Sequence, residues 1–204
     1  MAVCKPFETP MEQHLQLTDV SYDAIITHEI DSLDSDLLIP DSSSYQRLIG
    51  CHIYVRITRP DIGFSIQYLS QFMHSPKNSH MNDDMHVLGY LKKSLGLGIF
   101  MLVHIDSQLY AYCKLDWASC PMSQKHATSY LVQLGSSSIS WKTKNYNTVS
   151  RSSAEAEYRS MASAISKVVW LRGLLADMGL LINTPILFYR ENQVTLCTMN
   201  GRTI

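Results

Sequence analysis

The stretch "ATSYLVQLGSSSISWKTKNYNTVSRSSAEAEYRSMASAISKVVWLRGLLADMG", residues 127–179, changes its hydrophobic period partway along, and that change decides the fold. Its first part alternates: "ATSYLVQLG" and "SISWKTK" read as two strands joined by a Gly-Ser turn at Gly135 to Ser137. From Ser152 or Ser153, either a good N-cap, the repeat becomes helical. Ala156, Met161, Ala164, Val168, Leu171 and Leu175 form one apolar stripe that runs to Gly179, with Glu155 and Glu157 in the first turns. On the N-terminal side, Ile99 to Ile105 and Gln108 to Trp117 read as a β-hairpin. On the C-terminal side, "PILFYR" (185–190) is a compact apolar strand with both edges covered, and "ENQVTLCTM" (191–199) begins a last helix. Antiparallel strands, a long helix and a strand returning parallel to the first require a right-handed crossover, so the class is α/β with a mixed sheet.

The preceding half has a different texture. Residues 1–43 are polar, punctuated by Pro6, Pro10 and Pro40, with an acidic patch "EIDSLDSD" at 29–36, and read as a loosely ordered arm. Residues 44–98 read as a small helical region. Leu48, Ile49, His52, Ile53 and Arg56 have helical spacing that Pro60 interrupts, and Ile62, Ile66, Leu69 and Met73 resume it, so two helices should join near Thr58 to Asp61. A third helix, Asn82 to Leu95, should bury Met85, Leu88 and Leu91 or Leu95 and stop at Gly96 and Gly98. Residues 99–204 then form the α/β domain.

Composition sets limits on function. The 204 residues are 46% hydrophobic, which suffices for one good core and a smaller lobe. No apolar run is long enough to span a membrane and the N-terminal stretch lacks a secretion signal, so no membrane partner and an intracellular location are expected. Five cysteines without a C-x-x-C pair argue against a disulfide framework or a structural zinc site. Eight scattered histidines, His80 and His86 six apart, offer no helical ligand pair. A net charge of −1 gives little unaided grip on nucleic acid.

In mixed sheets of this kind, ligands sit where strand ends meet a helix start. Three places converge there: the strand end "YCKLDWAS" (112–119) with Lys114 and Asp116, the first turns of the long helix with Glu157, and Glu191 just past the last strand. The stretches "TRPDI" (58–62), "YCKLDWAS", "SRSSAEAEYR" (150–159) and "LFYRENQ" (187–193) resemble the C-terminal part of the Pol polyprotein of copia-type LTR retrotransposons, from about Lys5 onward. In that family the region spans the end of reverse transcriptase and the ribonuclease H domain. The resemblance implies a ribonuclease H-like mixed sheet with flanking helices, preceded by a helical connection lobe. It also implies hydrolysis of the RNA strand of RNA·DNA hybrids by two Mg²⁺ or Mn²⁺ ions about 3.5 to 4 Å apart, held by several carboxylates.

Carried over residue by residue, the resemblance implies a degenerate and truncated copy. Lys114 stands where the family has its first aspartate, Asp116 keeps the second, Glu157 is the helix glutamate, and Glu191 replaces the aspartate of Y-C-D-N-Q, with Arg190 in place of a small residue. The fourth acid, with the last strand and helix, would lie beyond residue 204. That would leave "PILFYR" with an uncovered side and the domain marginally stable. There is no Y-x-D-D motif, so the chain by itself is no polymerase. At roughly 4 Å a pair of unit charges is worth about 4 kcal/mol even at an effective dielectric of about 20, so an ammonium beside a dication weakens its binding badly. Lys114 is therefore expected to pair with Glu157 or Glu191, to leave no metal bound, and to leave the hybrid weakly held or lost, with no small-molecule cofactor. Two alternatives stay open: a weak Mn²⁺-dependent ribonuclease H on Asp116, Glu157 and Glu191, and a non-catalytic module binding protein through surfaces of 45–95 that the absent reverse transcriptase lobe would cover. Trp117, Trp141 and Trp170 read as core or interface aromatics, and "WKTKNYNT" (141–148) as a weak nucleic-acid strip.

Overall fold

The computed structural model describes residues 4–12, 15–26, 36–102, 108–116, 122, 126–146, 148–190 and 193–197. The chain forms two compact units, residues 1–98 with 120–123, and residues 99–119 with 124–204.

The α/β unit is built around one five-stranded sheet. Strands β1 (Leu109–Asp116), β2 (Ala127–Leu134) and β3 (Ser137–Asn145) form an antiparallel meander. Gly135, at φ 55°, supplies the left-handed residue that the tight β2–β3 connection requires. Helix α5 (Ser153–Asp177) follows, capped by Ser152, whose Oγ accepts the Glu155 N–H at 3.2 Å. After Gly179, at φ 88°, the chain enters β4 (Ile186–Arg190), which pairs parallel to β1. The expected α5 stripe is the buried one: Ala164, Val168, Leu171 and Leu175 pack on Leu109, Ala111, Cys113, Val132, Ile186 and Phe188.

Two expectations fail at the sheet, for the same reason. Strand order β3-β2-β1-β4-β5 puts β1 in the interior, with β2 on one edge and β4 on the other. No edge remains for a hairpin partner at Ile99 to Ile105: residues 99–102 are outside any strand, and 103–107 lie outside the described residues. The second concerns "ENQVTLCTM". Instead of a helix, residues Gln193–Cys197 form β5, antiparallel to all of β4 from Ile186↔Cys197 to Arg190↔Gln193. Val194 and Thr195 are β-branched, and the open edge of β4 offers hydrogen bonds that a nascent helix lacks. The side of β4 expected to be bare is therefore paired.

The helical unit contains α1 (Val20–Ile26), α2 (Ser42–Val55), a 3₁₀ turn at Pro60–Ile62, α3 (Gly63–Leu69), a second 3₁₀ turn at Ser70–Phe72, and α4 (Asn78–Lys93). Its core is Leu17, Tyr45, Ile49, Ile62, Ile66, Tyr68, Leu69, Phe72 and Val87. The junction at "TRPDI" is locked by Arg59, which is buried. Its guanidinium forks onto Asp61, donates to the Ser94 carbonyl at 2.8 Å, and lies over the Tyr90 ring, while the Tyr90 hydroxyl donates to Asp61 at 2.7 Å. Helix α4 starts four residues earlier than expected and buries another face: His80, Asp84, Val87 and Gly89, leaving Met85 and Leu95 exposed. Polar pairing explains this, since Asp84 Oδ1 meets His52 Nδ1 at 2.7 Å inside the core.

Described parts of the polar N-terminal stretch, expected to be loose, make specific contacts with the helices. Lys5 and Phe7 lie against Gly89, Phe7 stacks on His86 with centroids 3.8 Å apart, and the Thr9 carbonyl meets His86 Nε2 at 3.0 Å. Further along, the Leu17 N–H donates to the Tyr68 hydroxyl at 3.0 Å, and Asp23 on α1 pairs with Lys77 Nζ at 2.6 Å. Most of the acidic patch 29–36 lies outside the described residues.

Candidate functional site

Parallel pairing brings the C-terminal ends of β1 and β4 side by side, with Cys113 in register with Arg190. Neighbours in register share a face of the sheet. Cys113 faces the α5 core, so Arg190 also points to α5. There its Nη2 lies 2.8 Å from Glu157 Oε2 and its Nη1 lies 3.8 Å from Met161 Sδ.

Alternation sends the neighbouring residues the other way. Leu109, Ala111 and Cys113 are buried against α5, whereas Tyr110, Tyr112, Lys114 and Asp116 belong to the opposite face. On that face Tyr112 stacks on Tyr189 with centroids 4.9 Å apart, and Tyr110 lies 6.4 Å from the same ring. Lys114 and Asp116 are exposed, and among the described residues Lys114 makes no ion pair. The expected pairing of Lys114 with Glu157 is therefore not what the structure contains. Strand parity separates the two, and Arg190 is the cation on Glu157. Glu191 lies outside the described residues.

Glu155 has the role of a first-turn acid. It accepts the Arg151 N–H at 2.9 Å and pairs with Arg159 at 2.7 Å, four residues along. Beside this helix start, His126 is buried, stacks on Tyr146 at 4.7 Å, and is held below the usual histidine range by burial first and then by the Arg159 charge. Lys142 and Lys144 are exposed on β3, Trp141 is half-buried, and Trp170 is exposed on α5 with Lys167 Nζ 3.7 Å above its ring. Trp170 is thus not a core residue, and Trp117 lies outside the described residues.

Two hard cations would need several carboxylates converging on one point. Among the described residues no group of three or more His, Cys, Asp or Glu side chains is placed to hold a metal ion. Glu157 is engaged by a guanidinium, and Asp116 lies on the other face. The described residues do not fit a two-metal centre. Sequence reasoning marked Arg190 as a departure from the family pattern but missed its role, for which the signal was its place two residues beyond Phe188 in the alternation Ile186, Phe188, Arg190 of β4.

Comparison with known proteins agrees with the origin suggested by the motifs. The chain is 35% identical over 94% of its length to the retrovirus-related Pol polyprotein from transposon RE2 of Arabidopsis thaliana. It is 34% identical over the same share to that from transposon RE1 of the same plant. It spans 12% of the length of each. Secreted RxLR effector protein 161 of Plasmopara viticola is 32% identical over 62% of this chain and 90% of its own length. Over nearly its whole length the chain is thus similar to one segment of retrovirus-related Pol polyproteins from transposons. No family model matches it, and no solved structure matches it. Among the described residues no helix is long and apolar enough to cross a membrane.

Proposed function

We propose that the chain is the segment of a copia-type Pol polyprotein covering the end of reverse transcriptase and the ribonuclease H domain, and that it keeps the scaffold without the hydrolytic reaction. The observation that carries this reading is the loss of an acid from "YCKLDWAS", where Lys114 stands at the position of the family's first aspartate. The order of three antiparallel strands, long helix and parallel return strand supports the ribonuclease H-like assignment. Mg²⁺ or Mn²⁺ would supply the water activation in an active relative; here Glu157 is neutralised from within the protein. Purified chain incubated with a labelled RNA·DNA hybrid and either metal is expected to leave the RNA intact. Cleavage that disappears in Glu157→Gln refutes the proposal.

A second reading rests on the helical unit, which exposes Tyr54 (78%), Ile57 (56%) and Leu95 (78%). Exposed apolar side chains on this scale mark protein contacts when they are contiguous. A reverse transcriptase lobe is the partner this origin supplies. Sedimentation of the chain as a dispersed monomer that binds no such lobe argues against this reading.

A further inference from the structure

Arg190 joins two elements that only the tertiary structure brings together. It is the last residue of β4, yet its side chain lies on α5, with Nη2 2.8 Å from Glu157 Oε2 and Nη1 against the Met161 sulfur. We infer that Arg190 is a resident cation at Glu157: it occupies the carboxylate a divalent metal ion would recruit and closes this position to metal independently of Lys114. The inference rests on the functional reading above and adds a second residue to it.

The geometry supports this in three ways. A guanidinium cannot lose its proton at physiological pH, so its positive charge is permanent and opposes any approaching dication. Its planar fork already supplies a donor to one carboxylate oxygen, which a metal would have to displace. Lys114 is on the other face of β1 and makes no contact with Glu157, so the exclusion falls to residue 190. The Glu157 and Arg190 side chains are each 33% exposed, so solvent reaches the pair and a small ion could enter if the guanidinium were gone.

Mn²⁺ serves as the probe, because a paramagnetic ion broadens nearby amide signals even when it binds weakly. In proton–nitrogen spectra of the whole chain, Arg190→Ser is expected to show selective broadening at residues 155–159 at about tenfold less Mn²⁺ than the unaltered protein needs. Arg190→Lys, which keeps the charge, should behave like the unaltered protein. Adding Glu157→Gln to Arg190→Ser should abolish the effect. If the serine variant fails to fold, Arg190→Gln gives the same comparison with a longer, uncharged side chain. Equal broadening with and without Arg190, or equal broadening in the Ser and Lys variants, overturns the role given to Arg190. Hybrid cleavage by the unaltered chain overturns instead the functional reading on which the inference rests.

Discussion

His80 uses both ring nitrogens as a neutral imidazole. Its Nδ1 accepts the Lys77 backbone N–H at 3.0 Å, which fixes the tautomer, and Nε2–H donates to the Thr18 carbonyl at 3.1 Å. Burial first, and then the nearby Lys77 ammonium, push its pKa down from 6.5 to about 4, against the smaller opposing pull of the Thr18 carbonyl, Asp36 and Asp23. Because the folded pKa is depressed, the unfolded chain binds more protons between these values, and stability from this group is lost as pH falls from about 6.5 to about 4. Asp83 works in the opposite sense over part of that window. Burial, with Glu12 and Asp36, lifts it from 3.8 to about 6, so its contribution is present at low pH and lost as pH rises through about 6. The difference between variants separates them. The urea midpoint is expected to fall less between pH 7 and 4.5 in His80→Gln than in the unaltered chain, and equal falls contradict the assignment.

At the scale of elements, α4 shows how a helix is recruited by what crosses it. A Cβ at Gly89 would run into the Lys5 carbonyl oxygen and lie 2.6 Å from the Phe7 ring, so only glycine lets the N-terminal segment pass this closely. Gly89→Ala should raise amide exchange across residues 4–9. Global stability should change little, because alanine returns about 1 kcal/mol of helix propensity. Unchanged exchange there contradicts the contact. The buried face of this helix is not legible in the sequence because it carries His80 and Asp84, polar residues that no hydrophobic pattern counts as inside. Helix α5 is legible because alanine, valine and leucine mark its buried stripe and a serine caps it. For β5, the short run "QVTLC" has a period too brief to tell strand from helix, and the free edge of β4 decided the matter.

At the scale of the whole molecule, the described residues contain two hydrophobic clusters with no residue in common, one around Ile66 and Val87, the other around Val168 and Phe188. Each unit has its own core, so unfolding need not be a single transition. Val168→Ala should cost about 2 kcal/mol in the α/β unit. Ile66→Ala should cost about 3 kcal/mol in the helical unit. In scanning calorimetry each is expected to lower a different component of the heat-capacity curve. A common shift of one two-state peak by both variants contradicts the division.

What the sequence alone determined were features with a local period: the alternation of β2 and β3, the stripe and cap of α5, the apolar run of β4, and the Pol motifs around them. What the tertiary structure decided were the pairings between distant residues: which edge β4 takes, what covers its far side, which cation meets Glu157. The physical reason is that a carboxylate responds to the charge nearest in space. Register across the parallel β1–β4 pair, set by a crossover of some seventy residues, places Arg190 on the α5 face and turns Lys114 away from it.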